Sequence, residues 1–388
     1  MTLSTYSFNL NTRIEFGDGM IANVADFAKE LGMTKVLLVA DKGILKAGLT
    51  KPVEEALTAG GVPFVIFDGL VANPRDVNAL DGAEFAKKEG IDGLVAVGGC
   101  GPMDCAKAIA TLVTNGGKVQ DYTAEANSLK VDPLPMIAIP TTAGTGSEVT
   151  WDAVITDTEK HEKLNILDWR ICPNIALVDP VVLQGLPSHI MASCGVDAMT
   201  HAVEAYTCTV AHAFTDAVAL IAIRKIQENL RAAVHEHDPI ACKEMMEAST
   251  LAGVAFGYSD VGAVHCISEA LGGRYDIPHG VANAILLPTI TEFNVPADLE
   301  KHADVAKALG VDTSSMTLEE AAYACVDALQ QLSDDVNIPK MSEIPEIKPE
   351  DFEIIADASE RNLSNPDNCR EIHKADYIEL LNKAYYGK

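Results

Sequence analysis

The stretch Gly93-Leu-Val-Ala-Val-Gly-Gly-Cys-Gly-Pro-Met-Asp104 decides the fold of the first half of the chain. Its apolar run predicts a strand buried on both faces, and the glycines that follow predict a tight turn into a helix. Glycines at such a turn let backbone N–H groups approach an anion at the positive end of the helix dipole. The stretch fits a dinucleotide pyrophosphate site. It fits a plain turn equally well, because it is not a full Gly-x-Gly-x-x-Gly sequence.

The rest of the first half repeats this alternation of apolar strands and helices. Strand-like runs cover residues 36–40, 63–67, 93–97, 136–139 and 175–178, with helix-like segments at 76–89 and 103–115. Strand–helix–strand repeats are typical of a parallel sheet that helices cover on both faces. We therefore expect a dinucleotide-binding α/β domain over residues 1–186.

The second half has a helical pattern instead. Segments with helical periodicity cover residues 190–208, 213–236, 239–255 and 318–332. Ser188 is placed to cap the first of them, and Thr317 with Glu320 forms a capping-box pattern before the last. These features predict an all-helical domain over residues 187–388.

Composition excludes several classes of partner. The 388 residues carry a net charge of −27, which argues against nucleic acid and against anionic membrane surfaces. Nine cysteines occur without a Cys-x-x-Cys pair, which favours reduced thiols over disulfides or a thiolate zinc site. No pattern of a signal peptide or of a membrane helix is present, so we expect a cytoplasmic protein.

Four residues of the helical half form a candidate metal site. Asp197 and His201 stand four apart and share one helical face, and His265 and His279 follow in the same half. For the pair alone, a surface hydrogen bond explains the spacing as well as a metal does. One carboxylate with three imidazoles favours a catalytic divalent metal, because that set leaves room for a substrate oxygen.

Two features of the first half point to a nucleotide. Asp41 ends a predicted strand, where an acid can bond a ribose 2′-hydroxyl and repel a 2′-phosphate, although a helix cap is the commoner role. The stretch Pro140–Thr150 contains two glycines and five hydroxyl residues directly after another strand. Its density of donors favours a loop that faces phosphate or ribose over a merely solvated one.

These motifs together resemble the iron-containing alcohol dehydrogenase family, the third and metal-activated group. The resemblance covers essentially the whole chain and is carried by residues 98–107, 140–148, 195–204 and 278–280. It implies a dehydroquinate synthase-like architecture, with a Rossmann-like N-terminal domain and a helical C-terminal domain. In this family the cofactor and the metal lie in the cleft between the two domains.

The resemblance also assigns residues. It implies metal ligation by Asp197, His201, His265 and His279, and pyrophosphate binding by Gly98, Gly99, Gly101 and Asp104. It implies cofactor-facing roles for Thr141, Thr142 and Thr150, a place near the adenine for Leu183, and an NAD preference set by Asp41. The chain departs from the family at Cys100-Gly101, where a hydroxyl donor is missing, and at Glu269, where many members have a second His. Glu269 is then a candidate proton relay, a residue close to the metal, or a polar neighbour on the helix.

The implied activity is NAD-dependent interconversion of a short primary alcohol and its aldehyde. In that activity Fe²⁺, or Zn²⁺ or another divalent metal, binds the substrate oxygen while hydride passes to or from the nicotinamide. Trp151 is expected to narrow the pocket toward short substrates, and Arg170 is a candidate for an acidic tail. The alternatives are a zinc-dependent polyol dehydrogenase, a cyclase of the dehydroquinate synthase type, a reductase of acidic aldehydes, or a non-catalytic metal-binding scaffold. A homodimer or higher homo-oligomer is expected.

Overall fold

The computed structural model describes residues 5–71, 73–123, 129–160 and 162–387. The chain divides into two compact units, an α/β unit of residues 9–142 and 146–184 and a helical unit made mainly of residues from 185 onward. Residues 5–8 and 143–145 also belong to the helical unit. The expected fold class is confirmed, whereas the limits 1–186 and 187–388 stay a prediction.

A six-stranded parallel sheet forms the centre of the α/β unit. The strands of the described chain are β1 (Arg13–Phe16), β2 (Val36–Val39), β3 (Phe64–Phe67), β4 (Gly93–Gly98), β5 (Met136–Pro140), β6 (Asp152–Thr156), β7 (Lys163–Leu167) and β8 (Ile175–Val178). The sheet has the order β1-β8-β5-β4-β2-β3, and all of its pairs are parallel. The strands β6 and β7 form a separate antiparallel pair.

The central strands are apolar throughout because both of their faces are buried. In β2, Val36 and Leu38 enter one hydrophobic cluster, while Leu37 enters the cluster on the opposite face. In β4, Val95 and Leu94 separate in the same way. This is the pattern of a parallel sheet between two helical layers, and it explains why these runs could be identified from the sequence.

Helices of the α/β unit surround the sheet and mark its connections. They are α1 (Val24–Glu30), α2 (Lys42–Ala47), α3 (Lys51–Ala59), α4 (Asp76–Glu89) and α5 (Cys100–Asn115). Short 3₁₀ turns lie at Met20–Asn23, Val119–Tyr122, Ser147–Val149, Trp169–Ile171 and Pro180–Gly185. The helix α5 starts two residues after β4 ends, so the glycine-rich turn lies at the carboxyl edge of the sheet.

The helical unit is organised around one buried helix. Its helices are α6 (Ser188–Thr207), α7 (Ala213–His235), α8 (Pro239–Gly257), α9 (Ala263–Tyr275), α10 (His279–Asn294), α11 (Leu299–Ala308), α12 (Leu318–Asp335), α13 (Phe352–Glu360) and α14 (Lys374–Tyr386). Further 3₁₀ turns lie at Val295–Ala297, Met341–Glu343, Pro349–Asp351 and Asn365–Asp367. The helix α6 packs against α7, α8 and α10, and all its residues from 195 to 207 are buried. A helix buried on all sides is a core element, so any polar group on it needs a partner.

Local features agree with the sequence in part. Thr317 and Glu320 form the expected capping box, with reciprocal backbone hydrogen bonds of 2.8 and 3.2 Å. The expected cap at Ser188 is wrong, because Pro187 holds the N-cap position and the Ser188 hydroxyl donates to the carbonyl of Val234. Within the described ranges, no helix is long and apolar enough to cross a bilayer.

The turn from β4 to α5 depends on Gly98. This residue has a φ of 152°, and a Cβ placed on it would lie 2.5 Å from Cγ of Pro102. The proline ring is rigid and belongs to the first turn of α5, so it cannot move aside. The glycine therefore allows the helix to start close to the end of the strand.

We expect Gly98→Ala to destabilise the α/β unit by about 2–4 kcal/mol, because overpacking and a strained φ each cost about 1–3 kcal/mol. The matched control is Gly185→Ala, since a Cβ on Gly185 would meet nothing within 4 Å and its φ is ordinary. Urea unfolding followed by circular dichroism measures both variants. Equal stability of the two would show that the turn accepts a side chain.

Candidate active site

Four ionisable side chains meet inside the helical unit. Asp197 and His201 come from α6, His265 from α9, and His279 from the start of α10. Each offers one ligand atom, and these atoms all lie within 4.8 Å of one another. The first three side chains are buried, while the side chain of His279 is 28% exposed. The structure thus brings together the four residues that the sequence proposed as metal ligands.

Helix packing accounts for the convergence. Asp197 and His201 share a face of α6 because they are one turn apart. At the start of α10, a Cβ on Gly280 would lie 3.0 Å from the carbonyl oxygen of Ser193 and 3.3 Å from Cβ of Asp197. The glycine in Pro278-His279-Gly280 therefore lets α10 start directly against α6, which brings His279 close to the carboxylate.

Backbone and side-chain acceptors fix the two buried imidazoles. Nδ1 of His201 lies 3.2 Å from the carbonyl oxygen of Gly144, and Nδ1 of His265 lies 2.5 Å from Oε2 of Glu204. A carbonyl oxygen only accepts hydrogen bonds, so Nδ1 carries the proton in His201; an ionised carboxylate also only accepts, so Nδ1 carries the proton in His265 when Glu204 is ionised. The lone pair of each neutral imidazole is then on Nε2, as metal ligation requires. Phe256 stacks on the His201 ring at 4.3 Å between centroids and restrains its plane.

Asn283 is a member of the site that the sequence did not indicate. Its Nδ2 lies 2.7 Å from Oδ1 of Asp197, 3.0 Å from Nε2 of His265 and 3.1 Å from Nε2 of His279. One amide nitrogen has two hydrogens and cannot donate to all three of these atoms at once. One carboxylate oxygen and two imidazole nitrogens thus surround a single position, and such a set of atoms fits a cation. The sequence feature that could have indicated Asn283 is its position one helical turn after His279.

Burial sets the protonation states of this group. It lowers the pKa of His265 to about 3 and so keeps that ring neutral, which is the form that binds metals. It raises the pKa of the Asp197 carboxyl, and His279 and Asn283 oppose that rise. A divalent cation would favour the ionised carboxylate and would compensate its buried charge. The donor set and its burial therefore fit a divalent metal.

Glu269 is not one of the four residues whose ligand atoms converge. It follows His265 by one turn on α9, and its Oε2 accepts a hydrogen bond of 2.8 Å from Nδ2 of Asn362. The group of residues within ligand distance of one another includes His265 but not Glu269. One of its carboxylate oxygens therefore contacts the segment after α13.

Glycines and hydroxyls gather at the carboxyl edge of the sheet in the α/β unit. Gly99 is the N-cap residue of α5, and a Cβ on it would lie 3.1 Å from Oγ1 of Thr142. Thr141 donates its backbone N–H to the carbonyl of Gly98 at 3.0 Å. The hydroxyls of Thr141 and Thr142 are buried and, within the described chain, have no hydrogen-bond partner. Unpaired donors beside a helix N-terminus fit an anionic ligand such as a pyrophosphate.

Asp104 and Thr150, which were expected to face the cofactor, take part in a buried network of hydrogen bonds. Asp104 accepts hydrogen bonds from the Ser147 hydroxyl at 2.7 Å and from the backbone N–H of Val154 at 3.2 Å. The ammonium of Lys107 donates to Ser147 at 3.0 Å and to Thr150 at 3.1 Å. Burial raises the pKa of Asp104 to about 6, and the charge of Lys107 opposes that rise. The network attaches the loop of residues 140–150, the hydroxyl-rich loop, to α5. Lys107 ends the motif of residues 98–107, but no role was predicted for it.

The remaining predicted residues have local partners. Asp41 caps α2, because its Oδ1 accepts from the backbone N–H groups of Gly43 and Ile44 at 2.7 and 2.9 Å. Leu183 is fully buried, and Gly101 lies in the first turn of α5. Arg170 makes two hydrogen bonds, of 2.9 and 2.6 Å, to the carboxylate of Asp168.

Family models match most of the chain. Residues 11–180 match the model described as iron-containing alcohol dehydrogenase, and residues 191–385 match the C-terminal model of the Fe-containing alcohol dehydrogenase family. With the parallel sheet and the four converging side chains, these matches define an oxidoreductase of an iron-containing type. The chain belongs to the iron-containing alcohol dehydrogenase family and is an enzyme of the alcohol dehydrogenase or aldehyde reductase type.

Known proteins resemble it along their whole length. The chain is 39% identical to a 1,3-propanediol dehydrogenase of Citrobacter freundii, over 95% of the chain and 96% of that protein. A crystal structure of 1,3-propanediol oxidoreductase superposes with a TM-score of 0.95 at 37% identity, over 98% of this chain and all of the other. A sulfoacetaldehyde reductase from Bifidobacterium kashiwanohense in complex with NAD⁺ superposes with a TM-score of 0.88 at 26% identity, over 99% and 100% of the two chains.

We expect Glu269→Gln to keep the full metal content of the wild type, because Glu269 is not among the converging ligand atoms and Gln still offers an oxygen to Asn362. His265→Gln is the matched comparison and should lose metal. Elemental analysis of both purified variants, after identical loading with Fe²⁺, makes the measurement. Loss of metal from Glu269→Gln would identify Glu269 as a ligand.

Proposed function

We propose that the protein is an NAD-dependent, Fe²⁺-dependent enzyme that interconverts a short primary alcohol and its aldehyde. The observation that carries this proposal is the convergence of one ligand atom each from Asp197, His201, His265 and His279, of which the first three are buried. Zn²⁺ has similar donor preferences, so the choice of iron rests on the family.

The residues of the chain have separate tasks in this proposal. The chemistry supplied by the bound groups is Lewis acidity toward the substrate oxygen and hydride exchange at the nicotinamide. Asp197 with the three histidines holds a cation, and burial excludes water from three of these side chains. Asp197 also compensates part of the cation's charge, which a set of neutral imidazoles alone would leave unbalanced.

The glycine-rich turn is the proposed pyrophosphate site. Gly98, Gly99 and Gly101 carry no side chains at the N-terminal end of α5, and the unpaired hydroxyls of Thr141 and Thr142 supply donors there. Asp104 and Thr150 act indirectly, since their side chains hold the loop through Lys107 and Ser147. Leu183 near the adenine remains part of the proposal on family grounds.

A neutral short aldehyde is the proposed substrate. The relatives include proteins named for 1,3-propanediol and for sulfoacetaldehyde, one neutral and one anionic. Arg170 is the side chain that was predicted as a candidate for binding an acidic substrate tail. Its guanidinium is already paired with Asp168. The overall charge of −27 also gives an anion no general attraction.

We also propose domain limits of 1–186 and 187–388, a cytoplasmic location and a homo-oligomeric state. The change from strand-like to helical patterning after Pro187 supports the domain limits. Nine cysteines without a Cys-x-x-Cys pair support a reducing compartment.

We expect Asp197→Ala to lose bound metal and to lower kcat by roughly a thousandfold or more, since Lewis acidity contributes several kcal/mol to the transition state. The matched control is Asp327→Ala, because Asp327 is exposed on α12. NADH oxidation with propanal and Fe²⁺, together with elemental analysis, measures the two effects. Full wild-type activity after exhaustive chelation, with no metal detected, would refute the proposal.

We expect Asp41→Asn to narrow the preference for NADH over NADPH in kcat/KM by roughly tenfold, since a hydrogen bond to a charged group contributes about 1.5–3 kcal/mol. Asn caps a helix as well as Asp does, so the stability of α2 should not change. Asp41→Gly removes both the charge and the cap and serves as the comparison. A wild type that uses NADPH as well as NADH would contradict the assignment of Asp41.

A further inference from the structure

We propose that Glu204 is a positioning residue that holds His265 in its metal-binding orientation and fixes the first turn of α9. The inference rests on the proposed metal site and adds to it a residue that does not itself reach the metal. It assigns to Glu204 the task of keeping the Nε2 lone pair of His265 directed at the cation.

Glu204 continues the polar face of α6. Asp197, His201 and Glu204 occupy positions i, i+4 and i+7, so all three lie on one side of the helix. The first two belong to the converging ligand atoms, and the third does not. Glu204 instead contacts His265 on another helix, with 2.5 Å between Oε2 and Nδ1.

Both oxygens of Glu204 accept hydrogen bonds from α9. Oε2 accepts from Nδ1 of His265, and Oε1 accepts from the backbone N–H of Val264 at 2.8 Å. The N–H of Val264 lies in the first turn of α9, where backbone N–H groups have no acceptor within the helix. The carboxylate therefore fixes the ring and the helix end that carries it at the same time, and its negative charge favours that end of the dipole.

Gly262 leaves room for this arrangement. A Cβ on Gly262 would lie 3.1 Å from Oε1 of Glu204 and 2.8 Å from Oδ1 of Asn368, which accepts from the N–H of Ala263 at 3.2 Å. The steric demand comes from the two oxygens that cap α9, and a larger residue would displace them.

Burial makes the contact specific. The side chains of Glu204 and His265 are each 4% exposed, so water cannot replace a lost partner. A carboxylate offers acceptors on both oxygens, whereas an amide offers one acceptor and one donor. Glu204→Gln must therefore oppose a donor to either Val264 or His265, although its size is nearly unchanged.

The test measures metal binding without substrate or NAD. Apoprotein is titrated with Co²⁺ against a chromophoric chelator, and the Co²⁺ absorption spectrum is recorded. Glu204→Gln should weaken Co²⁺ binding by about 10- to 100-fold and change the spectrum, because such supporting contacts typically contribute that much to metal affinity. Glu204→Asp keeps both acceptors and should recover part of the loss.

Two further variants separate positioning from simple stability. Glu319→Gln, at an exposed position on α12, should bind Co²⁺ as the wild type does. Gly262→Ala displaces the carboxylate without changing its chemistry and should weaken Co²⁺ binding in the same direction, which also covers the case in which Glu204→Gln does not fold. A positioning role requires the change in the Co²⁺ spectrum in a folded variant, which a loss of stability alone would not produce.

The outcomes distinguish this inference from the proposed function. Unchanged affinity and spectrum in Glu204→Gln, or in Gly262→Ala if the first variant does not fold, would overturn the role of Glu204 while leaving the metal site in place. A wild type that binds no Co²⁺ and shows no metal-dependent turnover would overturn the proposed function itself.

Discussion

The burial of three ionisable side chains along one face of α6 is the constraint on which the helical unit depends. Asp197, His201 and Glu204 lie on a helix buried on all sides, where an uncompensated polar group is costly. Each is matched by a contact from outside the helix, and the partners are Asn283, the carbonyl of Gly144 and the first turn of α9. The contacts that satisfy the polar side chains of α6 therefore also fix where α9 and α10 begin.

The two units use opposite kinds of polar chemistry. The helical unit gathers acceptors, one carboxylate and three imidazoles, in a space that water hardly reaches, and this suits a cation. The α/β unit leaves donors unpaired at a helix N-terminus, which suits an anion. Lys107 does not change this pattern, because its ammonium donates hydrogen bonds to Ser147 and Thr150 in the hydroxyl-rich loop. Each site therefore follows from which groups the local fold leaves unsatisfied.

Sequence patterns identified the elements whose surroundings are uniform. Strands β2 and β4 were readable because both faces are apolar, and the capping box of α12 was readable because it is local. Strand β1 was not predicted, because it has only four residues and its partner β8 is distant in the chain. The pair β6 and β7 has mixed residues on its faces, so neither period dominates.

The sequence by itself determined the fold class, because strand and helix periodicity are local properties of the chain. It also indicated the four proposed metal ligands through their residue types and spacing. Only the tertiary structure decided which groups support that site. Glu204 and Lys107 act through contacts with other elements, and Asn283 reaches Asp197 and His265 from a different helix. The positions of these residues on their own helices do not reveal those partners. The same holds for Asp41, where the structure shows a helix cap at a position that also suits a ribose. Packing brings distant residues together, so the roles of supporting residues appear only when the chain is folded.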